Sequence, residues 1–205
     1  MIVVIGLPAA VGMILLGGPM VATMFARGEF GAHDVQMTAY ALWAYGVGFL
    51  GFSLVKVLVP GFYARHEMKV PVRYAVVALL VGMALSLGLF GVNAVEPFKA
   101  PHVVLAASTS LTACLNAALL FRRLRRDGVY RPEPGWGVFA FRVVTATIVM
   151  GVLVVFLAGP LADWLAPGEL RRVGHLAWVL LAAIALYFAV LLVLGLRFRH
   201  LVNRP

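Results

Sequence analysis

Lys56 is the residue whose type and position most directly suggest chemistry, because it lies inside the long apolar stretch of residues 34–63. An ammonium group within an apolar span is costly in lipid, so such a residue usually faces protein or a water-filled cavity. A flexible lysine stem also allows the ammonium to reach the membrane interface. Two interpretations of Lys56 therefore stay open: a contact on a substrate path through the protein, or an anchor at the interface.

Most other basic residues lie in short links between apolar runs. Seven of them form two groups, namely Arg65, Lys69 and Arg73, then Arg122, Arg123, Arg125 and Arg126. Basic residues near a membrane surface attract anionic lipid headgroups by about 1 kcal/mol each, and they also determine the orientation of the helices. These residues are candidates for headgroup binding or for topology alone. The net charge of +9 does not indicate a nucleic-acid partner, because aromatic and basic residues do not alternate in any segment.

Residue patterns typical of catalysis or metal binding are not found in the sequence. The five histidines are scattered over links and helix ends, without the spacing of metal ligands. A single cysteine, Cys114, excludes an internal disulfide and any multi-cysteine metal site. There is no Ser-His-Asp arrangement and no glycine-rich phosphate loop. We therefore expect a protein that is not an enzyme and that uses neither a cofactor nor a metal.

Composition indicates the elements that carry these residues. The chain is 63% hydrophobic and 12% charged, whereas a soluble domain carries about 25% charged residues. Six apolar runs reach the length of about 20 residues that crossing a bilayer requires. Because lipid cannot satisfy backbone polar groups, an open spanning segment must be helical. The sequence predicts an all-α, polytopic membrane helix bundle with spans at residues 1–26, 34–63, 72–95, 101–121, 136–162 and 173–196.

Proline and glycine mark the expected helix ends. Pro60-Gly61 is expected to break the second helix, and the motif at residues 131–135 separates the fourth span from the fifth. We expect four spans within residues 1–125, a cytoplasmic link at residues 126–135, and two further spans with a basic tail within residues 136–205. Spaced glycines such as Gly48 and Gly51 are typical of close helix packing in lipid.

Charge counting predicts the orientation of the spans. The second and fourth links, counted with the first two turns of the spans that follow them, and the C-terminal tail contain 12 of the 17 lysines and arginines. By the positive-inside rule these segments lie in the cytoplasm, so both termini are expected to be cytoplasmic. The first span has no basic residue on its inner side, which is unusual for a helix that begins a membrane protein. We therefore expect Met1 to be an internal methionine of a longer protein.

Several segments resemble the lipid II flippases of the MurJ (MviN) family. The most specific is VKVLVPGFYAR at residues 55–65, followed by Lys69, Pro71 and Val72. The resemblance extends to GLPAAVG at residues 6–12, FARGEF at 25–30, ACLNA at 113–117 and PGW at 134–136. It covers nearly the whole chain and is weakest in the last two spans.

This resemblance implies a bacterial inner-membrane transporter of the multidrug, oligosaccharidyl-lipid and polysaccharide exporter superfamily. Family members have fourteen helices, and the six spans look like helices nine to fourteen. The implied substrate is lipid II, the undecaprenyl-linked peptidoglycan precursor, and the last two helices are implied to hold its isoprenoid tail. The implied partners are lipid II, membrane lipids and the N-terminal lobe of the same protein. The family's cavity arginines belong to regions that this chain does not match, so no residue here inherits their roles.

Two other functions stay open from the sequence. The chain could belong to another exporter of the superfamily, one that moves a different polyisoprenoid-linked saccharide or a drug. It could also be a membrane subunit that does not transport and that associates with separate chains. The motif at residues 55–65 favours the lipid II flippase.

Overall fold

A computed structural model of the 205-residue chain describes residues 2–92, 101–128, 135–165 and 168–195. The described residues contain seven helices and no strands, and six of the helices are long and apolar enough to cross a membrane. The predicted all-α fold class and the number of spans are thereby confirmed. The helices are α1 (Ile2–Phe25), α2 (Ala32–Tyr63), α3 (Lys69–Val92), α4 (Pro101–Arg126), α5 (Trp136–Ala158), α6 (Leu161–Leu165) and α7 (Glu169–Val193).

Several helices extend beyond the apolar runs that predicted them. α4 continues to Arg126, five residues past the predicted end, and α3 begins at Lys69 instead of Val72. Lysine and arginine are good helix formers, so a helix can continue into the polar region after its apolar run ends. The fifth run is interrupted after Ala158, and the short helix α6 follows. The predicted end of the third span at Val95, most of the motif at 131–135, and the tail beyond Gly195 lie outside the described residues.

The expected break at Pro60-Gly61 is not observed. α2 continues to Tyr63, and the N–H of Ala64 donates a hydrogen bond of 3.0 Å to the carbonyl of Pro60. Proline has no N–H to donate to the carbonyl of Lys56, one turn earlier, but helices in membranes tolerate such a loss. The packing of Phe62, which is fully buried against Leu120 and Leu124 of α4, explains why the helix continues.

The chain divides into two compact units. Unit 1 comprises Met1–Ala39 and Glu133–Pro205, and unit 2 comprises Tyr40–Pro132. In unit 1, α1 packs against α5, α6 and α7, and α5 packs against α7. A hydrogen bond of 2.5 Å from the Tyr187 hydroxyl to the carbonyl of Val4 joins α7 to α1.

In unit 2, α3 packs against α4, and the part of α2 from Tyr40 onwards contacts α4 through glycines. A Cβ atom at Gly51 would lie 2.7 Å from the backbone nitrogen of Cys114, which is closer than real Cβ atoms approach. A Cβ at Gly48 would similarly collide with Ser110. Glycine therefore permits the close approach of these helices, as the spacing of Gly48 and Gly51 predicted.

Candidate functional site

Lys56 lies on α2 in unit 2, with its side chain exposed. Within the described ranges it forms no ion pair. Phe52 is one turn before Lys56 and Tyr63 two turns after it, so the three residues share one helix face. Phe52 is 42% exposed and Tyr63 is 48% exposed. This face of α2 is therefore left open by the rest of unit 2, and the Lys56 ammonium is available for contacts with other molecules.

The depth of Lys56 follows from the helix geometry. α2 has 32 residues, and at 1.5 Å per residue it is about 48 Å long, compared with about 30 Å for the hydrocarbon core of a bilayer. Lys56 is seven residues, or roughly 10 Å, from the last residue of α2. A helix of this length extends beyond the hydrocarbon, and Lys56 is well away from its middle.

Two of the predicted basic residues are engaged in ion pairs at the same end of unit 2. Arg65 lies 3.0 Å from Glu67 and 3.5 Å from Asp127, and Arg123 lies 3.0 Å from the same Asp127 oxygen. The Asp127 side chain is only 15% exposed. These contacts join the polypeptide after α2 to the residue that follows α4. Arg65 and Arg123, which the sequence offered as candidates for topology or headgroup binding, thus each have an acidic protein partner.

The sequence reasoning missed Asp127 and Glu67 as partners. Asp127 is four residues after Arg123, a spacing that places the two side chains together at the end of a helix and could have indicated the pair. The contact with Arg65 joins residues that are far apart in the sequence, and no local pattern predicts it. Only the packing of Phe62 against α4 brings Arg65 to this carboxylate.

The five remaining basic candidates are exposed and lack a carboxylate partner in the described part of the chain. They are Lys69 and Arg73 at the start of α3, and Arg122, Arg125 and Arg126 at the end of α4. On α3, Val70 and Tyr74 pack against the buried cluster of Phe62, Leu120 and Leu124. This packing brings the start of α3 beside the end of α4, so the structure collects both predicted groups at one end of unit 2.

A second set of polar contacts, which the sequence did not predict, lies in unit 1. The Arg172 guanidinium donates to the carbonyl of Ala22 at 3.0 Å and to that of Ala26 at 3.4 Å. Nearby, Arg27 and Glu169 form an ion pair of 2.9 Å. The Ala22 carbonyl also accepts a hydrogen bond of 3.2 Å from the N–H of Ala26, so Arg172 is an additional donor to it. Arg172 therefore caps the C-terminus of α1 from the first turn of α7.

The end of α5 is capped in a similar way. The indole N–H of Trp164 donates to the carbonyl of Ala158 at 2.7 Å, and a ring nitrogen of His175 lies 3.1 Å from the carbonyl of Leu157. The Trp164 and His175 rings stack, with their centroids 4.7 Å apart. The contacts of His175 are therefore structural, and they join α6 and α7 to the end of α5.

A groove of about 370 Å³ lies between α3 and α4. Ser86 and Ser108 hydrogen-bond across it at 2.8 Å, while Thr109 donates to the carbonyl of Leu105 and Thr112 to that of Ser108. The threonine hydroxyls are thus occupied by their own helix. No group of three or more His, Cys, Asp or Glu residues in the described ranges is placed to hold a metal ion.

Comparison with known proteins connects the sequence of this chain to a family. The family model described as "Lipid II flippase MurJ" matches residues 1–176. The chain is similar to "Lipid II flippase MurJ" of Burkholderia cenocepacia, with 38% identity over 199 residues, and the match covers 96% of this chain and 37% of that protein.

Two further relatives carry the name "Probable lipid II flippase MurJ". The chain is 37% identical to the Vibrio cholerae protein over 201 residues, covering 98% of this chain and 37% of that protein. It is 36% identical to the Haemophilus influenzae protein over 204 residues, covering 100% of this chain and 38% of that protein. The chain thus spans less than two fifths of the length of these relatives. The resemblance found in the sequence is confirmed, and this multi-pass membrane chain belongs to the lipid II flippase MurJ family.

Proposed function

We propose that this chain is the C-terminal part of a lipid II flippase, which moves the lipid-linked peptidoglycan precursor across the bacterial inner membrane for cell-wall synthesis. The observation that carries the proposal is the similarity of nearly the whole chain to curated lipid II flippases at 36–38% identity. The name of the family and of these relatives, flippase, supports a transporter rather than an enzyme. The partners in this proposal are lipid II, membrane lipids and the N-terminal lobe of the same protein.

The proposed mechanism is alternating access, in which a polar cavity opens first to one side of the membrane and then to the other. The isoprenoid tail stays in apolar surroundings during this movement. α5 and α7 offer such surroundings, because they expose several large apolar side chains. Among the most exposed are Ile148, Val152 and Phe156 on α5, and Trp178 and Leu181 on α7.

Lys56 is the residue of this chain that we propose for the substrate path. Its side chain is exposed, and within the described residues it has no carboxylate to neutralise it. The pyrophosphate of lipid II is an anion that an ammonium group can attract. The same exposure and the distance of Lys56 from the middle of α2 also suit an interfacial anchor. The transport activity of a Lys56→Ala variant distinguishes these two roles.

The proposed orientation places both termini, and the link after α2, in the cytoplasm. It rests on the distribution of basic residues between the links. The ion pairs of Arg65 and Arg123 with acidic residues reduce the net charge at this end of unit 2. The five basic residues that lack a carboxylate partner among the described residues keep it positive. Labelling of single cysteines introduced at Met68 and Gly31 tests the orientation in intact cells.

A depletion experiment tests the function. The source bacterium is depleted of the full-length protein, and lipid II that reaches the outer leaflet is measured by its susceptibility to an externally added lipid II-cleaving enzyme. We expect externally accessible lipid II to fall while total lipid II accumulates. Unchanged accessibility would contradict the proposal and would favour an exporter of another polyisoprenoid-linked saccharide.

A further inference from the structure

The Tyr187 hydroxyl on α7 donates a hydrogen bond to the carbonyl of Val4 on α1, 183 positions earlier in the chain. Both residues are buried, with Val4 4% exposed and Tyr187 3% exposed. We propose that Tyr187 is a positioning residue, which fastens α7 to α1 so that the two helices move as one body during transport. The fastening itself does not depend on the substrate, whereas its importance for transport rests on the proposed function.

A proline in α1 explains why the Val4 carbonyl accepts a side-chain donor. In a regular α-helix this carbonyl would accept the N–H of the residue four positions later. That residue is Pro8, which lies inside α1 and has no N–H. A buried carbonyl without a donor is destabilising, and the Tyr187 hydroxyl supplies the missing donor. The proline of the GLPAAVG motif at residues 6–12 therefore makes a backbone carbonyl of α1 available to another helix.

A hydrogen bond of this kind restrains a helix in lipid more than apolar packing does. Lipid tails are as apolar as the side chains they touch, so apolar contacts between two helices are easily exchanged for contacts with lipid. A hydrogen bond to one backbone carbonyl has a defined length and direction. Tyr187 therefore fixes the position of α7 along α1, whereas apolar packing alone would let the two helices slide.

A second contact fastens the other end of the same helix pair. Arg172, in the first turn of α7, donates to the carbonyls of Ala22 and Ala26 at the end of α1. The ion pair of Arg27 with Glu169 adds a further link at this end. At 1.5 Å per residue, position 187 is roughly 22 Å from position 172 along α7, which is most of the thickness of about 30 Å of the hydrocarbon core. Loss of the Tyr187 hydroxyl should therefore loosen one end of the pair and leave the other end in place.

Distances between spin labels test the fastening without any substrate. Ile5→Cys and Leu192→Cys place labels at two exposed positions near the Tyr187 hydrogen bond. The labels are attached to the full-length protein in nanodiscs, after its native cysteines, including Cys114, have been replaced by serine. Pulsed double electron–electron resonance should give a narrow distance distribution with Tyr187 and a broader one with Tyr187→Phe. Equal widths for the two proteins would overturn the proposal.

A matched pair of labels at the other end shows whether the effect is local. Met24→Cys and Val173→Cys place labels at exposed positions near Arg172. We expect Tyr187→Phe to leave the distance distribution of this pair unchanged. Equal broadening at both ends would indicate general loosening of unit 1 and would count against a specific role of Tyr187.

A second substitution separates positioning from the satisfaction of a buried carbonyl. Pro8→Ala restores a helical N–H for Val4, so Pro8→Ala combined with Tyr187→Phe leaves this carbonyl with a donor but removes the link between the helices. Tyr187→Phe alone is expected to lower the melting temperature by about 2–4 °C. Adding Pro8→Ala should restore the melting temperature, while the distance distribution between labels at Ile5 and Leu192 stays broad. A narrow distribution in the double variant would contradict the fastening.

Transport by the same variants tests what the fastening is for. Lipid II that becomes accessible to an externally added lipid II-cleaving enzyme is measured in cells that depend on each variant. We expect the double variant to transport about fivefold more slowly at normal stability, the factor that one hydrogen bond supplies. Pro8→Ala alone keeps Tyr187 and should transport normally.

Normal transport by the double variant would show that Tyr187 only satisfies a carbonyl, and it would overturn the positioning role. If Tyr187→Phe alone does not fold, the double variant decides the question. A wild-type protein that moves no lipid II would refute the proposed function instead, and the label distances would still decide whether Tyr187 fastens α7 to α1.

Discussion

Arg172, in the first turn of α7, donates a hydrogen bond of 3.0 Å to the backbone carbonyl of Ala22 in the last turn of α1. The two residues are 150 positions apart in the sequence. The contact places a positive charge at the negative end of the α1 dipole, where a cation is stabilising. The Arg172 guanidinium also donates to the backbone carbonyl of Ala26 at 3.4 Å, and this second hydrogen bond completes the cap.

Arg172→Ala is expected to destabilise the protein by about 1.5–3 kcal/mol, the usual contribution of a hydrogen bond to a charged group. The measurement is denaturant-induced unfolding in detergent, followed by circular dichroism. The neighbouring Arg171 is exposed, so Arg171→Ala is the control and should change stability by less than about 0.5 kcal/mol. Equal stabilities of the two variants would show that the cap contributes nothing.

Asp127→Asn is expected to lower stability by about 1 kcal/mol, because it removes the carboxylate shared by Arg65 and Arg123. The expected effect is small because both arginines are partly exposed, at 35% and 40%. Thermal unfolding in low and high salt measures it, and the difference from wild type should shrink as salt rises. Glu29→Gln removes an exposed carboxylate outside this cluster and serves as the control. A difference that does not depend on salt would contradict an ionic role for Asp127.

Gly51→Ala is expected to destabilise unit 2 by about 1–3 kcal/mol, because the added methyl group would overlap the α4 backbone. The nearest atom, the nitrogen of Cys114, would be 2.7 Å away and cannot move as a flexible side chain would. Gly88→Ala is the matched control on α3, where nothing lies within 4 Å of the new Cβ. We expect the control to be neutral or stabilising by about 0.4–1 kcal/mol, since alanine restricts the unfolded chain. Similar melting temperatures for both variants would refute a close α2–α4 contact.

Lys56→Ala in the full-length protein is expected to reduce lipid II translocation while protein level and melting temperature stay normal. The substitution removes an exposed ammonium and no packed group, so a loss of transport would reflect the charge. Lys56→Arg keeps the charge and should retain most activity. Unchanged transport by Lys56→Ala would identify Lys56 as an interfacial anchor.

The helices themselves could be predicted closely because hydrophobicity along the chain is a local property. Runs of about 20 apolar residues must cross the membrane as helices in any fold, and α1 to α5 and α7 follow the predicted runs. Errors occurred where packing overrides local preference. Pro60 indicated a break, but Phe62 continues the helix by filling a space against Leu120 and Leu124. α3 begins and α4 ends among charged residues, where the hydrophobicity of the sequence gives no indication that the helix continues.

The sequence alone determined that this is a helical membrane protein, and the motif at residues 55–65 was sufficient to indicate its family. It also identified the basic residues, but it could not distinguish those with partners from those without. That distinction depends on distances between segments far apart in the chain, such as Arg65 and Asp127, or Arg172 and Ala22. Only the tertiary structure decided it, because the hydrogen bonds and ion pairs of a side chain are formed with neighbours in space.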